Sequence, residues 1–147
     1  MGWVEIYLST NPATHYKFFS ISIEGGENVR ASRLWDLPAE AQINRIFKKE
    51  APLMEAILRA ESGLNPNAKG WNCIYGQKSM ACKVEDRPKA WSVDCGIAQI
   101  NVRGLDCPAH LFDMTQNLLI AKDRFYKKGC KEWSACKNGS YKLYLNN

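Results

Sequence analysis

Residues 61–66 read E-S-G-L-N-P, and residues 94–101 read D-C-G-I-A-Q-I-N. The first segment places Glu61 where an apolar stretch of helical spacing ends. The second segment places Asp94 ahead of a glycine and of a run with strand-like composition. We therefore expect one carboxyl group at a helix end and another on a neighbouring strand. Cleavage of a glycosidic bond requires a pair of carboxyl groups of this kind.

Glu61 is the stronger candidate for chemistry. Helical spacing puts Ile57 on the same stripe, so this face of the helix points towards the core. A carboxylate in the last turn also faces the negative end of the helix dipole. Burial and the dipole both raise the pKa of a carboxyl group, which suits a general acid near neutral pH. The alternative is a glutamate that points to solvent and has no chemical role.

Asp94, Gln99 and Asn101 form a second group of candidates. Asp94 precedes Cys95-Gly96, where a strand can bend. Considered without its neighbours, an aspartate at this position is typical of a turn. Gln99 and Asn101 are two positions apart, so on a strand they share one face. There, their amides could hydrogen-bond sugar hydroxyl and N-acetyl groups; an exposed polar edge is the commoner outcome. Four aromatic residues could stack on sugars, although most aromatic residues pack in cores: Trp71, Trp91, Trp133 and Tyr141.

The periodicity of the chain changes near residue 35. Alternating apolar and polar residues predict a small antiparallel sheet over residues 3–34. Helical spacing then predicts a helix with the stripe Ile43, Ile46 and Phe47, a second one opened by Pro52, and a third over residues 115–128. Residues 67–92 are expected to be irregular. The predicted class is α+β, with residues 1–35 as a β-rich extension and residues 36–147 as the main domain.

The six cysteines all lie in the second half of the chain. None forms a C-x-x-C pair, so a zinc or thioredoxin-like site is a weak hypothesis, and we expect no metal and no cofactor. Three disulfides in an oxidising compartment fit better, and six thiols in a cytosolic protein are the alternative. We favour the sequence-local pairs Cys73–Cys82, Cys95–Cys107 and Cys130–Cys136.

Composition excludes some classes of protein. Hydrophobic residues make up 46% of the chain and charged residues 24%, which is ordinary for a globular protein. No apolar run approaches the ~20 residues of a membrane span. The net charge of +5 suits an anionic partner such as a bacterial wall, or it is simply a solvated surface. No nucleic-acid-binding motif accompanies the charge, so nucleic acid is the weaker hypothesis.

Together, the two motifs indicate a protein family more specifically than any of their residues does alone. Glu61-Ser62 followed by G-I-A-Q-I-N at residues 96–101 resembles the lytic transglycosylase and lysozyme superfamily, whose consensus is E-S-x-x-N-P and then G-x-x-Q-I-N. Residues 113–121 are similar to the family's third helical motif, and residues 133–141 to its last. The resemblance implies a lysozyme-like fold, mainly helical, with a small antiparallel sheet and a cleft between the helical and β parts, and it makes residues 36–147 the catalytic domain.

Two branches of the superfamily are similar to this chain. Residues 92–101 resemble the S-T-D-Y-G-I-x-Q-I-N run of c-type lysozymes, which implies Glu61 as general acid and Asp94 as nucleophile or charge stabiliser. That branch implies Trp133 as a wall beside the acid, and Gln99 and Asn101 as cleft amides. Departures from it are Gly104 and Leu105 in place of tryptophans, cysteines that apart from Cys107 do not fall on its framework, and a longer insertion between the two acids.

The other branch is the specialised lytic transglycosylases of secretion systems and phages, with the motif S-x-D-x-G-L-x-Q-I-N. There one glutamate acts first as acid and then as base, and the C6 hydroxyl of the sugar closes an anhydro ring. This resemblance implies that Ser62 orients the substrate or the reactive carboxyl group and that Tyr141 approximates a cleft tyrosine. Residues 136–139, C-K-N-G, depart from the A-Y-N-A-G of that family.

Both branches cleave the β-1,4 bond between N-acetylmuramic acid and N-acetylglucosamine. The resemblance thus implies a lytic transglycosylase, with a hydrolytic lysozyme or a non-catalytic peptidoglycan-binding protein as alternatives. The expected partner is a peptidoglycan glycan strand, bound by an extracytoplasmic monomer without a membrane span. The substrate-binding residues that it implies are Ser62, Gln99, Asn101, Trp133 and Tyr141.

Overall fold

The structure, a computed structural model, describes residues 4–10, 17–23 and 34–145. It divides into two units, Met1–Ser32 and Arg33–Asn147. In the first unit, strands β1 (Val4–Thr10) and β2 (Lys17–Ile23) pair antiparallel, as predicted. The rest of the sheet predicted over residues 3–34 falls largely outside the described residues. The assignment of residues 1–35 as an extension and of residues 36–147 as a catalytic domain stays a prediction.

Helices form one side of the second unit. They are α1 (Ala39–Phe47), α2 (Ala51–Ser62), α3 (Met114–Lys128) and the short α4 (Ser134–Asn138). The three helices predicted from the spacing are confirmed. Their apolar stripes meet in one core because each presents large side chains on a single face. The fully buried members include Ile43, Phe47, Met54, Ile57, Leu58, Leu118 and Ala121.

The helix ends place the acidic candidate. Gly63 caps α2 with a φ of +64°, and its N–H donates to the Arg59 carbonyl at 3.0 Å. Glycine adopts this left-handed conformation without the usual steric penalty, so α2 ends directly after Ser62. At the start of α3, Asp113 Oδ1 accepts a hydrogen bond from the Gln116 N–H at 2.9 Å. The helix end predicted at Gly63 is confirmed, and Glu61 lies in the last turn of α2.

A four-stranded sheet forms the other side of this unit. Its strands are β3 (Lys69–Tyr75), β4 (Lys78–Ala81), β5 (Ser92–Cys95) and β6 (Ile100–Arg103), in the order β4-β3-β5-β6 with every neighbouring pair antiparallel. Asp94 lies opposite Gly70 on one side and opposite Asn101 on the other. Paired residues of a sheet point to the same face, so Asp94 and Asn101 share one. The predicted α+β class is confirmed.

The expectation that residues 67–92 are irregular is wrong, because β3 and β4 form a hairpin there. Tyr75 pairs with Lys78 across the two-residue loop Gly76-Gln77, in which Gly76 has a φ of +64°. Such a loop with glycine at positive φ is typical of a tight hairpin. All four residues of β4 are exposed, so the strand lacks the alternation that would have indicated it.

Three disulfides join Cys73 to Cys82, Cys95 to Cys107, and Cys130 to Cys136. The predicted sequence-local pairing is therefore confirmed for all three. Each bond closes a short stretch of chain on the sheet side or beside α4, whereas α1 and α2 contain no cysteine. Within the described parts of the chain, no helix is long and apolar enough to cross a membrane.

Side chains hold the turn between β5 and β6. The fully buried Asn117 on α3 donates from Nδ2 to the carbonyls of Cys95 at 2.9 Å and Leu111 at 2.8 Å, and its Oδ1 accepts from the Ala98 N–H at 2.9 Å. Gly96 opens the turn with a φ of +71°, and a Cβ added there would lie 2.2 Å from the Leu111 carbonyl oxygen. Both the conformation and the close approach require glycine.

We predict that Gly96→Ala destabilises the protein far more than Gly76→Ala does. Both positions have a positive φ, which costs alanine about 1–2 kcal/mol. Only Gly96 has backbone and side-chain atoms in the way, and displacing them adds about 1–3 kcal/mol; nothing lies within 4 Å of a Cβ at Gly76. Urea unfolding of both variants measures the difference. Equal losses of stability would contradict the packing argument.

Candidate active site

A cleft opens between the helical side and the sheet of the second unit. Its space is about 440 Å³ with the open mouth included. Side chains from α2, α3, the segment before α4 and the sheet face this space. The lining consists of Glu61, Asp94, Gln99, Ile100, Asn101, Arg124, Glu132, Trp133 and Ser134.

Glu61 reaches the cleft from the last turn of α2 and is partly buried. Burial is the largest influence on its carboxyl group and raises the pKa, and the negative charge of Asp94 raises the pKa further. Hydrogen bonds from the Ala135 and Ser134 N–H groups, and the charge of Lys137, oppose the rise without cancelling it. The raised pKa that the sequence predicted is thus confirmed in direction. A carboxyl group of this kind can hold a proton at higher pH than an exposed glutamate.

Backbone N–H groups at the start of α4 orient the Glu61 carboxyl group. Its Oε1 accepts a hydrogen bond from the Ala135 N–H, at 2.7 Å, at the start of α4. This bond fixes the direction of the carboxyl group, which lines the cleft and can transfer a proton to a ligand there. Proton transfer needs a donor within hydrogen-bond reach and with a fixed direction.

Asp94 faces the cleft from β5 and is held by two amides. Asn72 Nδ2 donates to Oδ2 at 2.8 Å, and Asn101 Nδ2 donates to Oδ1 at 2.6 Å. The Asn101 amide also lies 3.0 Å from the hydroxyl of the buried Ser92. Since each carboxylate oxygen has its own donor on a neighbouring strand, the side chain keeps one orientation towards the cleft.

The prediction that Gln99 and Asn101 share a strand face is wrong. Gln99 has a φ of +49°, and β6 begins only at Ile100. The backbone N–H and Nε2 of Gln99 both donate to the Gly96 carbonyl, at 3.0 and 2.9 Å, so this residue closes the turn. Both amide residues nevertheless line the cleft.

The other three predicted substrate-binding residues have structural contacts. Trp133 lines the cleft, but it is only 4% exposed and its indole N–H donates to the Ala98 carbonyl at 2.9 Å, which leaves little ring surface for a sugar. The Ser62 hydroxyl lies 2.6 Å from the Ile97 carbonyl oxygen and does not line the cleft. Tyr141 packs against the core from the C-terminal 3-10 segment, also away from the lining.

Sequence reasoning missed several residues of the site. Arg124, Glu132 and Ser134 line the cleft, and Asn72 orients Asp94. One signal was present: Arg124 is three positions after the buried Ala121, so helical spacing places an arginine on the inner side of α3. Arg124 belongs to a cluster of basic residues at that helix end. Such clusters are common at helix C-termini, so the sequence offered no reason to assign Arg124 to a site.

Within the described residues, no group of three or more His, Cys, Asp or Glu side chains is arranged to hold a metal ion. No family model, curated protein or solved structure gave a significant match to the chain.

We predict that Glu61→Gln makes the protein more stable than the wild type at neutral pH. A carboxyl group with a raised folded-state pKa contributes stability that is fully present below its unfolded pKa and is lost as the pH rises through the folded pKa. The variant cannot ionise, so it escapes this loss, while its side-chain oxygen can still accept from Ala135. Urea unfolding should show similar stabilities at about pH 3, below the usual glutamate pKa of about 4.3, and a growing gap up to about pH 7.

Glu85→Gln, at an exposed position, is the matched control because it removes the same charge. It should not reproduce the gap. A Glu61→Gln variant that is less stable than the wild type across the whole pH range would contradict the prediction.

Proposed function

We propose that the chain is a glycosidase with a lysozyme-like fold that cleaves the β-1,4 bond between N-acetylmuramic acid and N-acetylglucosamine in peptidoglycan. The observation that carries this proposal is the pair of carboxyl groups in one cleft, with burial and the charge of Asp94 raising the pKa of Glu61. Most glycoside hydrolases place one protonated and one ionised carboxyl group beside the scissile bond, and lytic transglycosylases need the protonated one. The family resemblance of residues 61–66 and 94–101 supports the same reaction.

In the proposed mechanism, Glu61 is the general acid. Its carboxyl group donates a proton to the glycosidic oxygen, the bond from that oxygen to the anomeric carbon breaks, and positive charge develops on the muramyl ring. The Ala135 N–H, bonded to Oε1, stabilises the carboxylate that remains. General acid catalysis by a positioned side chain contributes about 10²–10⁴ in rate.

For the second step we propose lytic transglycosylation. The Glu61 carboxylate takes the proton of the C6 hydroxyl, and that oxygen bonds to the anomeric carbon to form a 1,6-anhydro product. One residue then serves as acid and afterwards as base, so the proton is returned and no water is consumed. The motif E-S-x-x-N-P supports this chemistry by resemblance.

Hydrolysis is the second candidate, and the setting of Asp94 favours it. Two amides direct this carboxylate into the cleft that Glu61 lines. In this position it could attack the anomeric carbon or stabilise the developing charge, after which water completes the reaction. Lysozymes use a second carboxylate in these roles.

The proposed setting is extracytoplasmic. Three disulfides are compatible with a secreted or periplasmic protein or with one that acts in the cell wall, because such bonds persist in oxidising environments. A phage origin is consistent with the same chemistry. We propose that the protein acts as a monomer on glycan strands, without a cofactor.

Digestion of purified peptidoglycan, followed by mass spectrometry of the released muropeptides, tests the proposal. Wild type is expected to release products that end in 1,6-anhydromuramic acid; reducing-end products one water heavier would establish hydrolysis instead. Glu61→Gln is expected to lower the rate by about 10²–10⁴, because it removes the acid. Glu85→Gln should retain full activity.

Asp94→Asn separates the two chemistries further. Under hydrolysis this variant loses most of its activity, whereas under transglycosylation Glu61 still supplies both proton transfers. A wild type that releases no products but still binds peptidoglycan would overturn the enzymatic proposal and leave a binding protein.

A further inference from the structure

A guanidinium group faces the carboxylates of the cleft. Arg124 projects from α3 and lines the same space as Glu61 and Asp94. Glu132, from the 3-10 segment Gly129–Glu132, lines this space too. The cleft lining therefore contains three carboxyl groups and one guanidinium group.

The ion pairs of Glu132 leave Arg124 with unused donors. Glu132 Oε1 lies 3.2 Å from Lys128 Nζ, whereas its Oε2 is 4.0 Å from Arg124 Nη1, beyond the usual range of a hydrogen bond. The Arg124 side chain is only 33% exposed, and among the described residues no hydrogen bond involves its guanidinium group. A guanidinium group has five N–H donors in a planar fork that matches a carboxylate. A ligand that enters the cleft can therefore supply acceptors to these donors.

We propose that Arg124 binds a carboxylate of the glycan substrate and thereby selects which bond reaches Glu61. This inference rests on the proposed function. In an alternating glycan, only the muramyl residues have a lactyl group, which ends either in a free carboxylate or in a stem peptide with carboxylates of its own. Of the residues that the structure describes, Arg124 is the one basic residue in the lining of this cleft, whereas Asp94 disfavours an anion near β5, so an anionic group of the ligand is held best beside Arg124.

The glycan strand would therefore bind in one fixed register. Muramyl and glucosaminyl residues alternate, so anchoring a muramyl carboxylate at Arg124 presents one of the two kinds of β-1,4 bond to Glu61 and excludes the other. A neutral glycan without lactyl groups, such as chitin, would lack this anchor. Arg124 would then be a specificity residue that holds the substrate and takes no part in proton transfer.

Binding to the full-length Glu61→Gln protein tests this inference without requiring turnover. The ligands are the disaccharide of N-acetylglucosamine and N-acetylmuramic acid with a free lactyl carboxylate, its lactyl carboxamide, and its stem-peptide derivative. Adding Arg124→Gln is expected to weaken binding of a carboxylate ligand tenfold or more, the usual effect of losing a charge-assisted hydrogen bond. Binding of the carboxamide should weaken less than binding of the carboxylate, because the carboxamide has no charge opposite to that of the guanidinium group.

The ligand whose binding is weakened by Arg124→Gln identifies the source of the carboxylate. A loss on the free disaccharide assigns the lactyl carboxylate, and a loss only on the peptide derivative assigns the stem peptide. Arg124→Lys keeps the charge without the fork and should give an intermediate loss. Lys127→Gln, an exposed position on the same helix paired with Asp123, is the control for net charge and should have no effect.

Three results would overturn the inference: equal losses on the carboxamide and the carboxylate, no loss with Arg124→Gln, or no binding of any of these ligands. Its failure is distinguishable from that of the proposed function. If the wild type cleaves peptidoglycan and the Arg124 variants bind the ligands as tightly as the parent protein does, only the inference is rejected. Arg124-dependent carboxylate binding in a protein that cleaves nothing rejects only the catalysis.

Discussion

Three carbonyl groups of the turn between β5 and β6 each accept a hydrogen bond from a different helical segment. Asn117 of α3 donates to Cys95, Ser62 of α2 to Ile97, and the indole of Trp133, which precedes α4, to Ala98. Ile97 and Ala98 are buried and lie outside the strands, so these side chains satisfy carbonyl groups that would otherwise lose their hydrogen bonds to water. Much of the cleft depends on them: Glu61 is next to Ser62, the Ala135 N–H follows Trp133, and the two ends of the turn continue into Asp94 and Asn101.

Local patterns in the sequence were sufficient for much of this arrangement. The helices were predictable because their apolar stripes repeat within a few residues, and Gly63 ends α2 by its own conformational preference. The rise in the pKa of Glu61 followed from its helical stripe, since a side chain aligned with the buried Ile57 loses solvent. The disulfides were predictable because the bonded cysteines are close neighbours along the chain.

Contacts between distant segments were not predictable. Ser62 was expected at the substrate, yet its hydroxyl bonds to Ile97, a partner that only the folded chain brings near. Gln99 had strand-like neighbours, but the left-handed turn that follows Gly96 overrides its local preference. Arg124 and Glu132 are ordinary surface residues by composition, and only the packing of α3 against the segment before α4 places them in the cleft. The exposed strand β4 had no periodic signal at all.

The β3–β4 hairpin differs from the helices in what keeps it ordered. Ile74 and Met80 are 59% and 49% exposed, so these strands contribute little apolar burial to the core. The Cys73–Cys82 bond spans the hairpin instead and restricts the unfolded chain, an effect of about 2–3 kcal/mol for a loop of this length. Asn72, which orients Asp94, lies next to this bond. Reduction of this bond would therefore weaken the hairpin from which Asn72 reaches Asp94, so one of the two amide contacts of a cleft carboxylate is linked to the redox state of two cysteines.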